Sequence, residues 1–506
     1  MPLVSVRMAR TQQTRRQYDG LKKEISGWYD QWANKDWKLG AHRTQLDALK
    51  RVLDEAMARC DLGFQKVESD AKQSTTGRVY ADCRAHERYL VWVRRIWETF
   101  RVRFDQRNDA RLQPVLGAAD EIVWSCYVPV FHNKALKQRG VALRSAPLPF
   151  LDTLYAPSAL TRDVPGELRA AGLDSDQQQK LQAYLTMLPI PVVRLPYQCV
   201  EAPWWLIYIG HEVGHHVERD LLPNKQFVES FKSRLVECTG DPRWALWGEE
   251  IFADLHAVCQ MGPWAARAMS QLLLDTPEAM LTSGDSMYPP PVVRIALMEA
   301  LQPVLMGKEI ATPTEAEWLQ KAGAIVGEPE ETKKLLQPST TLGTAVLTDL
   351  GRIPAVLRML QRSLVPAGRL NELNPDAAPP LTEDILPLAE LCGWDAEKHR
   401  EMFRSGGTVE GWRDSLVKTR VTRSPVNRVE SARMIVSAAL AAYEEVNSKQ
   451  EKDDERATTY ATLASNTISA IRDNREAGTR AAGDFARRDP EGLGEELAAL
   501  LMKMES

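Results

Sequence analysis

From Tyr18 to Gln113 the chain runs without a proline and is rich in Arg, Lys, Glu, Gln, Leu and Trp. Proline removes a helical hydrogen bond and clashes with the preceding turn, so a proline-free run of this length can form continuous helix. Tyr89, Val93, Ile96, Trp97, Phe100 and Phe104 recur at helical spacing. The pattern predicts two or three long helices packed as a hairpin or bundle, an N-terminal helical region over 1–113. Nine arginines fall between Arg78 and Arg111, interleaved with Asp82, Glu87, Glu98, Asp105 and Asp109. Acids at this spacing make i,i+4 pairs on a solvated face, which weighs against a nucleic-acid surface. The net charge of −4 over 506 residues also argues against nucleic acid or an anionic membrane as the main partner.

The composition changes at Pro114. Residues Glu121–Phe131 are β-branched and aromatic and read as a strand. Pro147, Pro149, Pro157 and Pro165 suit surface loops, and Gln177–Leu188 reads as helix. Pro189–Pro196 reads as a short strand whose prolines confine it to a sheet edge. From Pro203 to Ala300 the reading is helical, with breaks near Pro223, Gly240–Pro242 and Gly284–Pro291. A domain over 114–305 with a small edge-exposed sheet follows. A C-terminal helical region over 306–446 has loops at Pro338–Gly343 and Asn374–Leu381. Residues 447–506 comprise a charged linker and a terminal amphipathic helix. Its stripe of Leu493, Leu497, Leu500, Leu501 and Met504 suits docking onto the chain's own body, or a partner. The fold class is α+β, predominantly helical.

The most apolar run, Ala202–Gly210, is about half of the ~20 residues a bilayer-spanning helix needs. The N-terminus lacks the apolar core of a secretory signal. Seven cysteines stand apart with no C-x-x-C pair. These features predict a soluble chain in the reducing cytoplasm, with no stapled scaffold or zinc ribbon.

Three of the eight histidines fall in His211-Glu212-Val-Gly-His215-His216, which contains H-E-x-x-H. On a helix, His211 and His215 lie one turn apart on one face, so both imidazoles reach one Zn2+. Glu212 lies about 100° round the helix, beside the ion, where it can move a proton between water and a leaving amine. A catalytic site needs a third protein ligand and an open position. A third histidine just downstream is absent, since Glu218 and Leu221 hold those places. Thirty-five residues after His215 lies Glu250, with Asp254 at i+4 on a second helix. One carboxylate can bind the metal while the other accepts the N–H of a ligating histidine. Glu249 points about 100° away from Glu250. His216 and His256 read as packing or surface residues.

Tyr288-Pro-Pro-Pro-Val-Val-Arg294 sets a phenol and a guanidinium six residues apart after a rigid turn. Tyr288 can donate to the oxyanion of peptide hydrolysis. Arg294 can pin the segment through a buried carboxylate or contact substrate. The same residues also suit a proline turn capping a helix, with Tyr288 merely packed.

H-E-x-x-H followed by E-x-x-A-D resembles the gluzincin pattern of zinc peptidases. With the segment from Tyr288 to Arg294 it is similar to the CAAX prenyl endopeptidases and their heat-shock membrane relatives, in which histidine stands where this chain has Tyr288. The resemblance spans Pro189 to Ala300 and implies a zincin-like core. It implies His211, His215 and Glu250 as ligands of one catalytic Zn2+, and Glu212 as general base or acid. It further implies Asp254 as support behind a ligand, and Tyr288 and Arg294 as stabilisers of substrate or transition state. Gluzincins present substrate as a strand added to a sheet edge, for which Val192, Val193 and Arg194 are the candidates; an ordinary edge strand suits them equally. The family's membrane helices are missing, and the motif spacing is short, so no lipidated substrate is implied.

The sequence therefore points to a zinc metallopeptidase, an endopeptidase ahead of an aminopeptidase or oligopeptidase. Its large flanks suggest a restricted protein substrate or a regulatory protein partner. The alternative is a catalytically silent zinc-binding scaffold, against which an intact Glu212 weighs.

Overall fold

The computed structural model of the chain describes residues 3–33, 42–132, 145–153, 155–160, 190–221, 226–284, 286–337, 339–360, 396–418, 428–449, 453–474 and 490–504. They are predominantly helical, with one three-stranded sheet. The expected helix at 177–188, the loop at 374–381 and the break at Pro223 lie outside them. No helix among the described residues is long and apolar enough to cross a membrane.

The proline-free segment forms α1 (Leu3–Ala33), α2 (Arg43–Asp70) and α3 (Thr76–Asp105). Thr75 caps α3 by accepting the Arg78 N–H. Trp28, Trp32, Trp97 and Phe104 are buried between the helices. Both Trp28 and Trp32 donate their indole N–H to Asp105, at 2.8 and 3.1 Å. The arginines of the outer faces meet acids across helices, as in Arg94–Glu24 and Arg10–Glu87.

Residues 121–131 are not a strand. They belong to a helix, α4 (Leu112–His132), buried along nearly its whole length. A helix covered on all sides loses its polar face, and the remaining apolar run looks the same as a buried strand. Pro129 within it has no N–H to offer the Ser125 carbonyl, one helical turn back. That oxygen instead accepts from Arg433 Nη1 at 2.7 Å.

The sheet has strand order β1 (Leu148–Asp152), β3 (Val192–Pro196), β2 (Ser158–Leu160). β1 pairs parallel to β3 in the register Leu148↔Val192, and β2 pairs antiparallel to it in the register Ser158↔Arg194. Val192, Val193 and Arg194 thus form the central strand, which corrects the expected edge. Val192, Val193 and Arg194 carry both ladders, while Pro191 precedes the strand and Pro196 ends it, so the prolines mark its limits without confining it to an edge. Leu148, Phe150 and Val192 face the bundle core, whereas Leu151, Val193 and Leu195 face the main core. Alternation along each strand therefore covers both faces of the sheet.

The main core draws on described residues between Leu112 and Ile471. It includes α5 (Ile209–Asp220), α6 (Gln226–Thr239), α7 (Gly248–Met261), α8 (Pro263–Leu273) and α9 (Pro291–Leu305). The later helices α10 (Glu315–Val326), α11 (Thr341–Leu360), α12 (Thr408–Leu416), α13 (Arg428–Ser448) and α14 (Asp453–Asp473) join the same core. Helix α11 starts inside the loop expected at Pro338–Gly343. The helix α15 (Pro490–Met504) docks on the chain itself, burying Leu497 and Leu501 against α2. Gly494 permits that approach, because a Cβ there would stand 2.4 Å from Glu55 Cβ.

Candidate metal centre

Helix α5 carries the histidine pair, and α7 crosses it closely enough to supply the carboxylates. The approach depends on Gly214, where a Cβ would lie 2.7 Å from Ala253 Cα of α7. With the helices in contact, His211, His215 and Glu250 converge, each offering one donor atom within 4.8 Å of the others. His211 Nε2 and His215 Nε2 are 3.2 Å apart. Glu250 Oε2 stands 3.4 Å from His211 Nε2, and Glu250 Oε1 stands 3.5 Å from His215 Nε2. Donors held at about 2.0–2.1 Å around a tetrahedral ion lie about 3.3–3.4 Å from one another, and the two imidazole nitrogens and the carboxylate come together on that scale, close enough to share one cation. Two imidazoles and a carboxylate are also a donor set that zinc accepts.

Behind the triangle lies a buried ionic layer. Asp254 Oδ1 is 2.8 Å from His211 Nδ1, on the side of the ring away from Glu250. Arg294 grips Asp254 with Nε and Nη2, both at 2.8 Å, and reaches Glu250 Oε2 at 3.1 Å. Of the two roles open to Arg294, the geometry places it on the buried carboxylates. Burial by itself would push the Glu250 carboxyl up. The hydrogen bond with His211 and the charges of His215, His211 and Arg294 outweigh it and hold the group at about 2. Burial likewise works against protonation of His211, but Asp254 and Glu250 raise it to about 10.

Glu212 is 4% exposed and lines the cleft beside the histidines. Burial pushes its carboxyl up to about 7, opposed by His211, by the Ala159 backbone and by Arg294. Glu249 turns away to Arg219 and Lys232, at 2.9 and 2.8 Å. His216 and His256 are both buried and bond backbone carbonyls, those of Val192 at 3.2 Å and Gly210 at 2.9 Å. They fasten α5 to β3 and α7 to the start of α5.

A cleft of about 870 Å3 opens over His211, Glu212, His215 and Glu250. Tyr288 stands on its wall, 44% exposed, with the Arg294 guanidinium 5.9 Å from its ring centre. Ser158 and Ala159 of β2 also line the cleft. Sequence reasoning missed β2, since three residues after a proline carry no alternation to read. It also passed over Gly214, whose position inside a helix was the available signal.

No protein-family model matches the chain, and no curated protein or solved structure matches it.

Proposed function

We propose that the chain is a zinc-dependent peptidase of gluzincin type, an endopeptidase that acts on extended polypeptide. The observation that carries this reading is the triangle of His211, His215 and Glu250 with Glu212 beside it, at the floor of an open cleft. Three protein donors facing a cleft suit a catalytic ion, whereas structural zinc sites are closed by four.

When bound, the ion supplies Lewis-acid polarisation of a carbonyl and lowers the pKa of water to about 7. Glu212 takes a proton from water as the water oxygen bonds to the amide carbonyl carbon. It returns the proton to nitrogen as the C–N bond breaks, leaving a carboxylic acid and an amine. Asp254 holds the His211 tautomer and ring orientation, and Arg294 balances the charge of the two carboxylates. Tyr288 donates its O–H to the developing oxyanion. An extended substrate lies along β2, the strand of the sheet next to the cleft, in place of Val192–Arg194.

The test compares wild type with Glu212→Gln in cell extract, mapping new protein N-termini by mass spectrometry and metal content by elemental analysis. Glutamine retains the metal and abolishes the new N-termini. Identical N-terminal profiles would sink the peptidase reading in favour of a silent metal-binding scaffold.

A further inference from the structure

Eleven large apolar side chains are exposed among the described residues, and five of them line the one cleft above Glu212: Tyr155, Leu246, Leu274, Met287 and Tyr288. A single exposed leucine means nothing, because much of any protein surface is apolar. Concentration around one concavity is different, since contiguous apolar rims mark binding sites. The lining also includes Met269, Leu272 and Leu273, towards the C-terminal end of α8. The lining cations do not answer a charged ligand: Arg219 is held by Glu249, and Arg294 by Asp254 and Glu250.

We infer that this wall is a side-chain subsite, and that the substrate is an extended polypeptide with a bulky aliphatic or aromatic residue beside the reacting bond. The inference rests on the peptidase reading and adds the substrate class to it. A strand laid along β2 points alternate side chains to one side, so one residue in two can meet the wall. Two methionines and a run of three leucines make a surface that adapts to side chains of different shape. An apolar residue is hidden within a folded protein and presented in an extended one. The cleft therefore selects unfolded or flexible segments, which agrees with a rim left exposed to water.

The experiment uses the full chain carrying Glu212→Gln and extended ten-residue peptides that differ only at one central position: Leu, Phe, Ala or Asp. Binding is followed by fluorescence anisotropy, and cleavage by the wild type by mass spectrometry. Leu and Phe peptides bind roughly tenfold to a hundredfold tighter than the Asp peptide, the range for burying one large apolar side chain. Leu274→Asp and Met287→Asp, both at exposed positions, remove that preference and leave metal content unchanged. Cleavage of all four peptides alike overturns the subsite and leaves the peptidase reading standing. Selective binding without cleavage supports the subsite and counts against the peptidase reading. A dimer seen by sedimentation, and dissociated by either substitution, also overturns the subsite, because the face would then be a self-interface.

Discussion

Glu218 is buried on α5, one turn beyond His215, with neither carboxylate oxygen hydrogen-bonded. Burial, with Glu249 adding to it, raises its pKa well above the ordinary value, although Arg219 and Lys232 act the other way. A raised carboxyl binds its proton in the folded state and loses it on unfolding at neutral pH. Its contribution to stability is fully present below the unfolded pKa of about 4.3 and is lost as pH rises through the folded pKa. Glu218→Gln should therefore match wild type near pH 4 and exceed it by roughly 1.4 kcal/mol for each pH unit up to that folded pKa. Urea unfolding at pH 5 and pH 8 measures this, and parallel curves at both values would contradict it. Asp254 behaves oppositely, since Arg294 and His211 stabilise its charge against burial. Asp254→Ala leaves His211 Nδ1 without its carboxylate partner, and metal affinity should fall about 10–100-fold in a competitive chelator titration. Unchanged affinity would mean that His211 is oriented by packing alone.

Two helices show how backbone constraints set the site. Gly214 lets α5 and α7 touch, so Gly214→Ala must move Ala253 away or shift the whole helix. Overpacking of this kind costs about 1–3 kcal/mol. It should also weaken metal binding, because Glu250 lies on the displaced helix; calorimetry of the protein with and without zinc reads both effects. In α4, Pro129 frees the Ser125 carbonyl and Arg433 fills the gap. Pro129→Ala restores the helical donor, so Arg433→Met should cost less in that background than in wild type. A double-mutant cycle should show a coupling of about 0.5–3 kcal/mol. Strict additivity would show that Arg433 acts chiefly through Gln260, its other partner at 2.8 Å.

Two hydrophobic cores meet at the sheet, one formed by α1–α3, α15 and one face of the sheet, the other by helices α4 to α14 and the sheet's other face. A buried polar knot spans the junction, where Arg107 and His42 both bond Asp120, at 2.7 and 2.9 Å, and Arg107 also bonds the Pro149 carbonyl. Helix α15 packs against the α1–α3 bundle, and the candidate metal site lies in the other core. Gly494→Val should dislodge α15 and raise amide hydrogen exchange across Leu46–Met57, while exchange in α5 and α7 stays unchanged. Equal loss of protection in both regions would mean that the two cores unfold as one.

What the sequence determined by itself was local. A proline-free run with helical spacing specified two or three long helices, and H-E-x-x-H specified two imidazoles on one face, because both depend only on neighbours within a turn. The same reasoning separated Glu250 from Glu249 by their angle around the helix. Tertiary structure decided whatever depended on distant neighbours. Residues 121–131 became helix because burial on every side erased the polar face that would have betrayed its period. Val192–Arg194 became the central strand because β1 and β2 arrive from elsewhere in the chain to occupy both its edges. Arg294 was committed to Asp254 and Glu250 only when α9 packed beside α7. The apolar rim of the cleft, drawn from four separate places in the chain, had no local pattern at all.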